Sequence, residues 1–171
     1  LFYGSGVITL SALTVPAYAD WFPDVATAVA SGALHIKLSP NRTYTSNTRI
    51  YMVSGQTLEG GGWNSILAHT SGSLTGGAGN GGINASNATN ITLKNLRIQG
   101  TGSSAGPFSS SDKGTEFTSS NVSRVVVQNI MVENVNGEAI YASTSASNIW
   151  FIENYVTNTA GNCLNGNGAG S

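Results

Sequence analysis

The stretch VVVQNIMVENVNGEAIY, residues 125–141, lies over IWFIENYVTNTAGNCLN, residues 149–165, without a gap and with a shift of 24. Val125 then sits over Ile149, Val127 over Phe151, Val132 over Val156, Asn134 over Asn158, Gly137 over Gly161 and Ile140 over Leu164. A period in the twenties, built of short β-rich pieces with Asn and Gly corners, is the pattern of a solenoid. A third copy lies upstream, where ITLKNLRI from Ile91 matches VVVQNIMV from Val125 at a shift of 34. A loop roughly ten residues longer, between Gly100 and Ser120, accounts for the difference. In ITLKNLRI, Ile91 and Leu93 point one way, Lys94-Asn95 makes a bend, and Leu96 and Ile98 resume the inward side. Stacking such units about 4.8 Å apart turns each inward row into an apolar column. Asn95 over Asn129 and Asn134 over Asn158 read as stacked corner amides bonded to the backbone of the next turn. Glu153 interrupts the first ladder and Asn154 replaces Ile130.

With 171 residues, 40% hydrophobic, 22 Gly and only 9% charged at net charge -1, the chain reads as a corner-rich all-β domain. That charge balance argues against nucleic acid or an anionic membrane surface as partner. Cys163 is the only cysteine, so no intrachain disulfide forms, and its repeat partner Ala139 predicts a small buried wall residue.

Residues 1–19 carry no charge and end in Ala17-Tyr18-Ala19, which looks like a signal-peptidase site. The β-branched run Val7 to Val15 reads equally as a strand, so a retained apolar segment (1–19) preceding a solenoid domain (20–171) is expected. Asp20 is the expected N-cap of a short helix with Trp21, Val25, Ala28 and Val29 on one face and Gly32 as its stop. Strands follow at residues 34–38, 49–53 and 65–67, with a glycine corner at Gly60-Gly61-Gly62 and a small-residue loop from Ser71 to Gly82 that contains only Leu74 for packing.

This order of helix, HIKLSPNRTY, RIYMVSGQTLEGGGWNSIL, NITLKNLRIQG and NIWFIENYVTN resembles the right-handed parallel β-helix proteins of the pectate lyase-like superfamily over Asp20 to Asn165. The resemblance implies a right-handed β-helix of about four to five coils with an N-terminal capping helix. It also implies a carbohydrate-active protein as one functional reading, either a polysaccharide lyase with Ca²⁺, a glycoside hydrolase or a non-catalytic glycan binder. The chain holds only eight acids, and NIWFIENYVTN lacks the Asp and His of the similar lyase segment "vWIDH". The "NTDG" and "GHG" motifs of galacturonases have no match. The remaining catalytic candidates are Asp112 and Glu116, read with Lys113 in the long loop, and Glu133 or Arg97 on the wall beneath; the competing reading is a solvated charged loop. His35 and His69 read as structural or exposed, and no metal-ligand spacing is present.

Two outward columns, Thr92–Val126–Trp150 and Arg97–Met131–Tyr155, turn apolar in the later copies, where polar side chains are expected on a solvated wall. Val7, Ile8 and Leu10 of the apolar segment, from this subunit or a neighbour, are the expected cover for Val126, Met131, Trp150 and Tyr155. Aromatic rings on the wall read alternatively as a platform for sugars. Sequons at Asn41, Asn84, Asn87, Asn90 and Asn121 are compatible with glycosylation of an exported chain. The leading expectation is an exported extracellular or cell-surface structural protein, self-associating end to end or through the N-terminal strand into a filament or surface layer. The carbohydrate reading stands as its alternative, with no cofactor expected unless the lyase form brings Ca²⁺.

Overall fold

The computed structural model describes residues 15–69, 81–102, 104–110, 112–119 and 121–166. Val7, Ile8 and Leu10 of the apolar segment, and Leu74 of the small-residue loop, lie outside the described residues. In chain order the strands are β1 (Ala17–Tyr18), β2 (His35–Lys37), β3 (Arg42–Ser46), β4 (Ile50–Tyr51), β5 (Thr57–Glu59), β6 (Ser65–His69), β7 (Gly81–Asn84) and β8 (Thr89–Lys94). They continue with β9 (Arg97–Gln99), β10 (Lys113–Phe117), β11 (Ser123–Gln128), β12 (Met131–Val135), β13 (Ile140–Ala142), β14 (Ser147–Ile152), β15 (Tyr155–Thr159) and β16 (Leu164–Gly166).

These strands form three parallel sheets, ordered β1-β2-β5-β8-β11-β14, β3-β6-β9-β12-β15 and β4-β7-β10-β13-β16. From β5 onward, each strand stacks on the one three places earlier in the chain, which is the connectivity of an all-β parallel solenoid. The repeat alignment is the register itself: Ile91 pairs with Val125 and Val125 with Ile149, Val132 with Val156, and Ile140 with Leu164. Their shared inward side forms one continuous core, with Ile91, Leu93, Leu96, Ile98, Val125, Val127, Ile130 and Val132 fully buried.

The corners explain the asparagines. Asn95, Asn129 and Glu153 follow one another at φ 56, 49 and 53, in the left-handed region that asparagine tolerates better than most residues. Asn129 Nδ2 donates to Asn95 Oδ1 at 2.9 Å, and Asn158 Nδ2 to Asn134 Oδ1 at 2.5 Å. The corner amides therefore bond one another, and Asn158 Oδ1 also accepts from Ser104 N at 2.8 Å. Asn154 does bond backbone, donating to Val127 O at 2.9 Å and accepting from Ile130 N at 3.1 Å. A third left-handed series, Asn90, Arg124 and Asn148, precedes the inward residues Ile91, Val125 and Ile149.

Four expectations need correction. The helix α1 spans Val25–Ala30, and its N-cap is Asp24, whose side chain accepts from Thr27 N at 2.7 Å. Asp20 lies in a 3-10 turn instead, bonded by Ser39, Tyr44 and Arg42, and Trp21 is exposed. Val25, Ala28 and Val29 are buried on α1, which packs against β3 and β4. Secondly, Lys113 and Glu116 do not lie in a solvated loop: they belong to β10, all five residues of which are buried. Thirdly, Cys163 is exposed, because no described strand stacks over the layer that holds it. Fourthly, the sheet begins before residue 20, since Ala17 pairs with Ile36 and is buried. No helix among the described residues is long and apolar enough to cross a membrane.

Candidate functional site

The outer surface of the first sheet carries two columns set by the register. Lys37, Glu59 and Lys94 stand side by side across β2, β5 and β8, and His35 stands beside Thr57. The Glu59 carboxylate lies 2.7 Å from His35 Nε2 and 3.5 Å from Lys94 Nζ. Burial pushes the Glu59 carboxyl up, but the His35 hydrogen bond and the charges of Lys94 and Lys37 outweigh it and hold the group below the usual carboxylate value. Glu59 is therefore a fixed anion between two cations.

Next to this column the chain turns through Gly60, Gly61 and Gly62 into β6. At Gly60 a Cβ would run into Asn95 O and the side chains of Ser65 and Leu96, so the corner passes close against the following layer only because the residue is glycine. Trp63 leaves this turn along the stacking direction. Its indole N–H donates to Asn129 O at 3.1 Å, two layers on, and its ring lies 5.7 Å from that of Tyr155 at an interplanar angle of 31°. Two depressions meet at Gly62. One, about 540 Å³, is lined by Tyr18, Lys37, Pro40, Glu59, Gly61 and Asn95, and the other, about 310 Å³, by Trp63, Asn64 and Asn129. Together they make a strip with the charged side chains Lys37 and Glu59 at one end, Trp63 at the other and amide groups in both.

Trp63, Trp150 and Tyr155 are 39%, 49% and 50% exposed. Val126 and Met131 are partly buried in the columns expected for them, beside Trp150 and Tyr155. Trp63 is the cover found for Tyr155 among the described residues.

Comparison with family models, with characterised proteins and with solved structures found no match to the chain. Its functional reading therefore rests on geometry.

The three candidate catalytic acids have separate surroundings. Glu133 is held on the second sheet by Arg97 and by Gln99 Nε2, the latter at 2.6 Å. Glu116 lies on the third sheet, 3.4 Å from Lys113 Nζ and 3.3 Å from Asn84 Nδ2. Asp112 Oδ2 accepts from Asn136 N at 2.8 Å; burial raises its carboxyl above the ordinary value and that backbone bond partly offsets the rise. All three are buried, whereas a general acid or base must reach a substrate proton. Among the described residues, no set of three His, Cys, Asp or Glu side chains gathers as a metal site. Of the sequons, Asn41, Asn87, Asn90 and Asn121 are exposed and Asn84 is buried.

Sequence reasoning missed His35, Lys37, Glu59, Lys94 and Trp63. A signal existed for four of them: HIK, TLE and TLK, at residues 35–37, 57–59 and 92–94, are three copies of one inward-residue triplet. None existed for Trp63, whose reach across layers follows from a loop path.

Proposed function

We propose that this chain is a glycan-binding protein of the cell surface or extracellular space, built as a right-handed parallel β-helix of five coils with α1 as its N-terminal cap. The observation that carries the reading is the strip centred on Gly62. Trp63 and Tyr155, packed on each other, keep 39% and 50% of their surface exposed for the apolar face of a pyranose, while Glu59, Lys37, Asn64 and Asn95 offer hydrogen-bond partners within the depressions beside Trp63. Because the strip runs along the stack, a polymer rather than a single sugar fits its length. Binding is favoured over turnover because glycoside hydrolysis uses two carboxyl groups across one bond, and among the described residues Glu59 alone supplies a carboxylate to the lining. The resemblance to pectate lyase-like proteins is in keeping with this reading.

The test is affinity electrophoresis against neutral and uronate-containing polysaccharides. Retention of the wild-type chain by at least one polymer, weakened about tenfold in Trp63→Ala and in Tyr155→Ala, is expected. Absence of retention by every polymer would remove the proposal.

One observation favours a second reading, the self-assembling structural protein. Large apolar side chains, Trp150, Ile152 and Tyr155, stand exposed on the outer wall. That aromatic wall is the face that a second copy would cover. Electron microscopy of the native protein distinguishes the two, since regular fibres would put assembly first.

A further inference from the structure

The depression beside Lys37 and Glu59 is also lined by Tyr18, which pairs with Lys37 from β1. Ala17 before it is buried, so strand alternation turns the Tyr18 ring outward. The chain then enters the 3-10 turn Ala19–Trp21, and the Trp21 ring lies 5.6 Å from that of Tyr18 at an interplanar angle of 55°. The two residues keep 39% and 44% of their surface exposed. Trp21 takes no part in the core, yet the turn that carries it is anchored. The Asp20 carboxylate accepts from Ser39 Oγ and from Tyr44 Oη, the latter at 3.0 Å, and pairs with Arg42. Anchoring of this kind holds the ring pair in place before any ligand arrives, which lowers the ordering cost of binding. The same device stands further along the stack, where Trp63 and Tyr155 are likewise two tilted, partly exposed rings 5.7 Å apart. In layer order Tyr18 comes first, Lys37, Glu59, Asn95 and Asn129 follow, and Tyr155 comes last.

We propose that Tyr18 and Trp21 form a second sugar platform, and that the ligand is one linear glycan chain running along the corner from this pair to Trp63 and Tyr155. The inference rests on the glycan-binding reading and adds to it the extent of the ligand. Five layer steps separate Tyr18 from Tyr155, about 24 Å at the ~4.8 Å spacing of neighbouring strands. That spacing is close to the rise of one pyranose in an extended chain, so the sugars keep step with the layers and about six of them reach from one platform to the other. The floor between the platforms includes Gly60, Gly61 and Gly62, bare of side chains, so the glycan lies close against the backbone there. Exposed rings at both ends take the apolar faces of sugars, while the hydroxyls between them meet Lys37, Glu59 and Asn95.

Titration calorimetry of the full chain against oligomers of graded length, cut from a polymer that retains it in electrophoresis, tests the inference. Wild-type affinity is expected to rise with each added sugar up to about six and then to level off. In Tyr18→Ala and in Trp21→Ala the plateau should come at shorter oligomers and lie about tenfold weaker. Both side chains are exposed, so both variants are expected to fold, which circular dichroism checks. If both matched the wild-type plateau while Trp63→Ala still weakened binding, the second platform would fall and the glycan reading would stand. A wild-type plateau already at about two or three sugars would overturn the inference whether or not a variant folds. Retention by no polymer would remove both readings. Wild-type self-association in sedimentation that Trp21→Ala abolishes without loss of glycan affinity would also overturn it, since the ring pair would then be a contact between copies.

Discussion

His69 is the residue whose burial has the clearest solution consequence. It ends β6 with both ring nitrogens buried and without hydrogen-bond partners among the described residues, and desolvation lowers its pKa from 6.5 to about 4. The unfolded chain takes up its proton near 6.5 and the folded chain only near 4, so between those values the unfolded state holds more protons. Stability therefore falls as pH drops through this window, by about 3 kcal/mol in total. Glu59, lowered from 4.5, starts to lose its contribution only as pH falls below 4.5, at the acid end of the window, and Asp112, raised, acts in the opposite sense. Urea unfolding across the window should show the slope in the wild-type chain and lose most of it in His69→Leu. An equal slope in both would mean that the imidazole is solvated.

At the scale of elements, β10 departs furthest from the sequence pattern. Its inward Thr115 stands between Ile83 and Ile140, where the neighbouring strands place isoleucine, and its Oγ is buried without a partner among the described residues. Replacing a buried, unbonded hydroxyl with a methyl of similar size removes a desolvation cost. Thr115→Val is expected to raise stability by about 1 kcal/mol in urea unfolding, and a loss of stability would show that the hydroxyl is bonded. The same residue helps to explain why the sequence of β10 reads as loop. KGTEF has two charges and one large apolar residue, and nothing local indicates that Lys113 pairs with both Glu116 and Glu138. The faint signal was its likeness to GINAS and AIYAS, residues 82–86 and 139–143, which puts Thr115 in line with Ile83 and Ile140. By contrast, β8, β11 and β14 were legible at once, because the same apolar alternation recurs in all three and the corner amides keep its phase.

At the scale of the whole molecule, each layer packs only on its neighbours, so stability propagates along the stack. The last described layer has one neighbour, and its inward residues Ile149, Phe151 and Val156 are incompletely covered. Hydrogen exchange should therefore be fastest in β14, β15 and β16 and slowest in β8 and β11, where strands are paired on both sides. Uniform protection across these sheets would mean that another molecule covers that layer, and would strengthen the assembly reading. The sequence by itself determined the parallel stack, its register and its corners. These depend on side-chain alternation and on asparagine's tolerance of left-handed backbone, and both are local properties repeated at a fixed spacing. Only the tertiary structure decided that Trp63 meets Tyr155, that Glu59 sits between Lys37 and Lys94, and that Lys113 shares Glu116 with Asn84. Those meetings join residues of different layers, and stacking distance and loop path set them rather than any property of the neighbouring sequence.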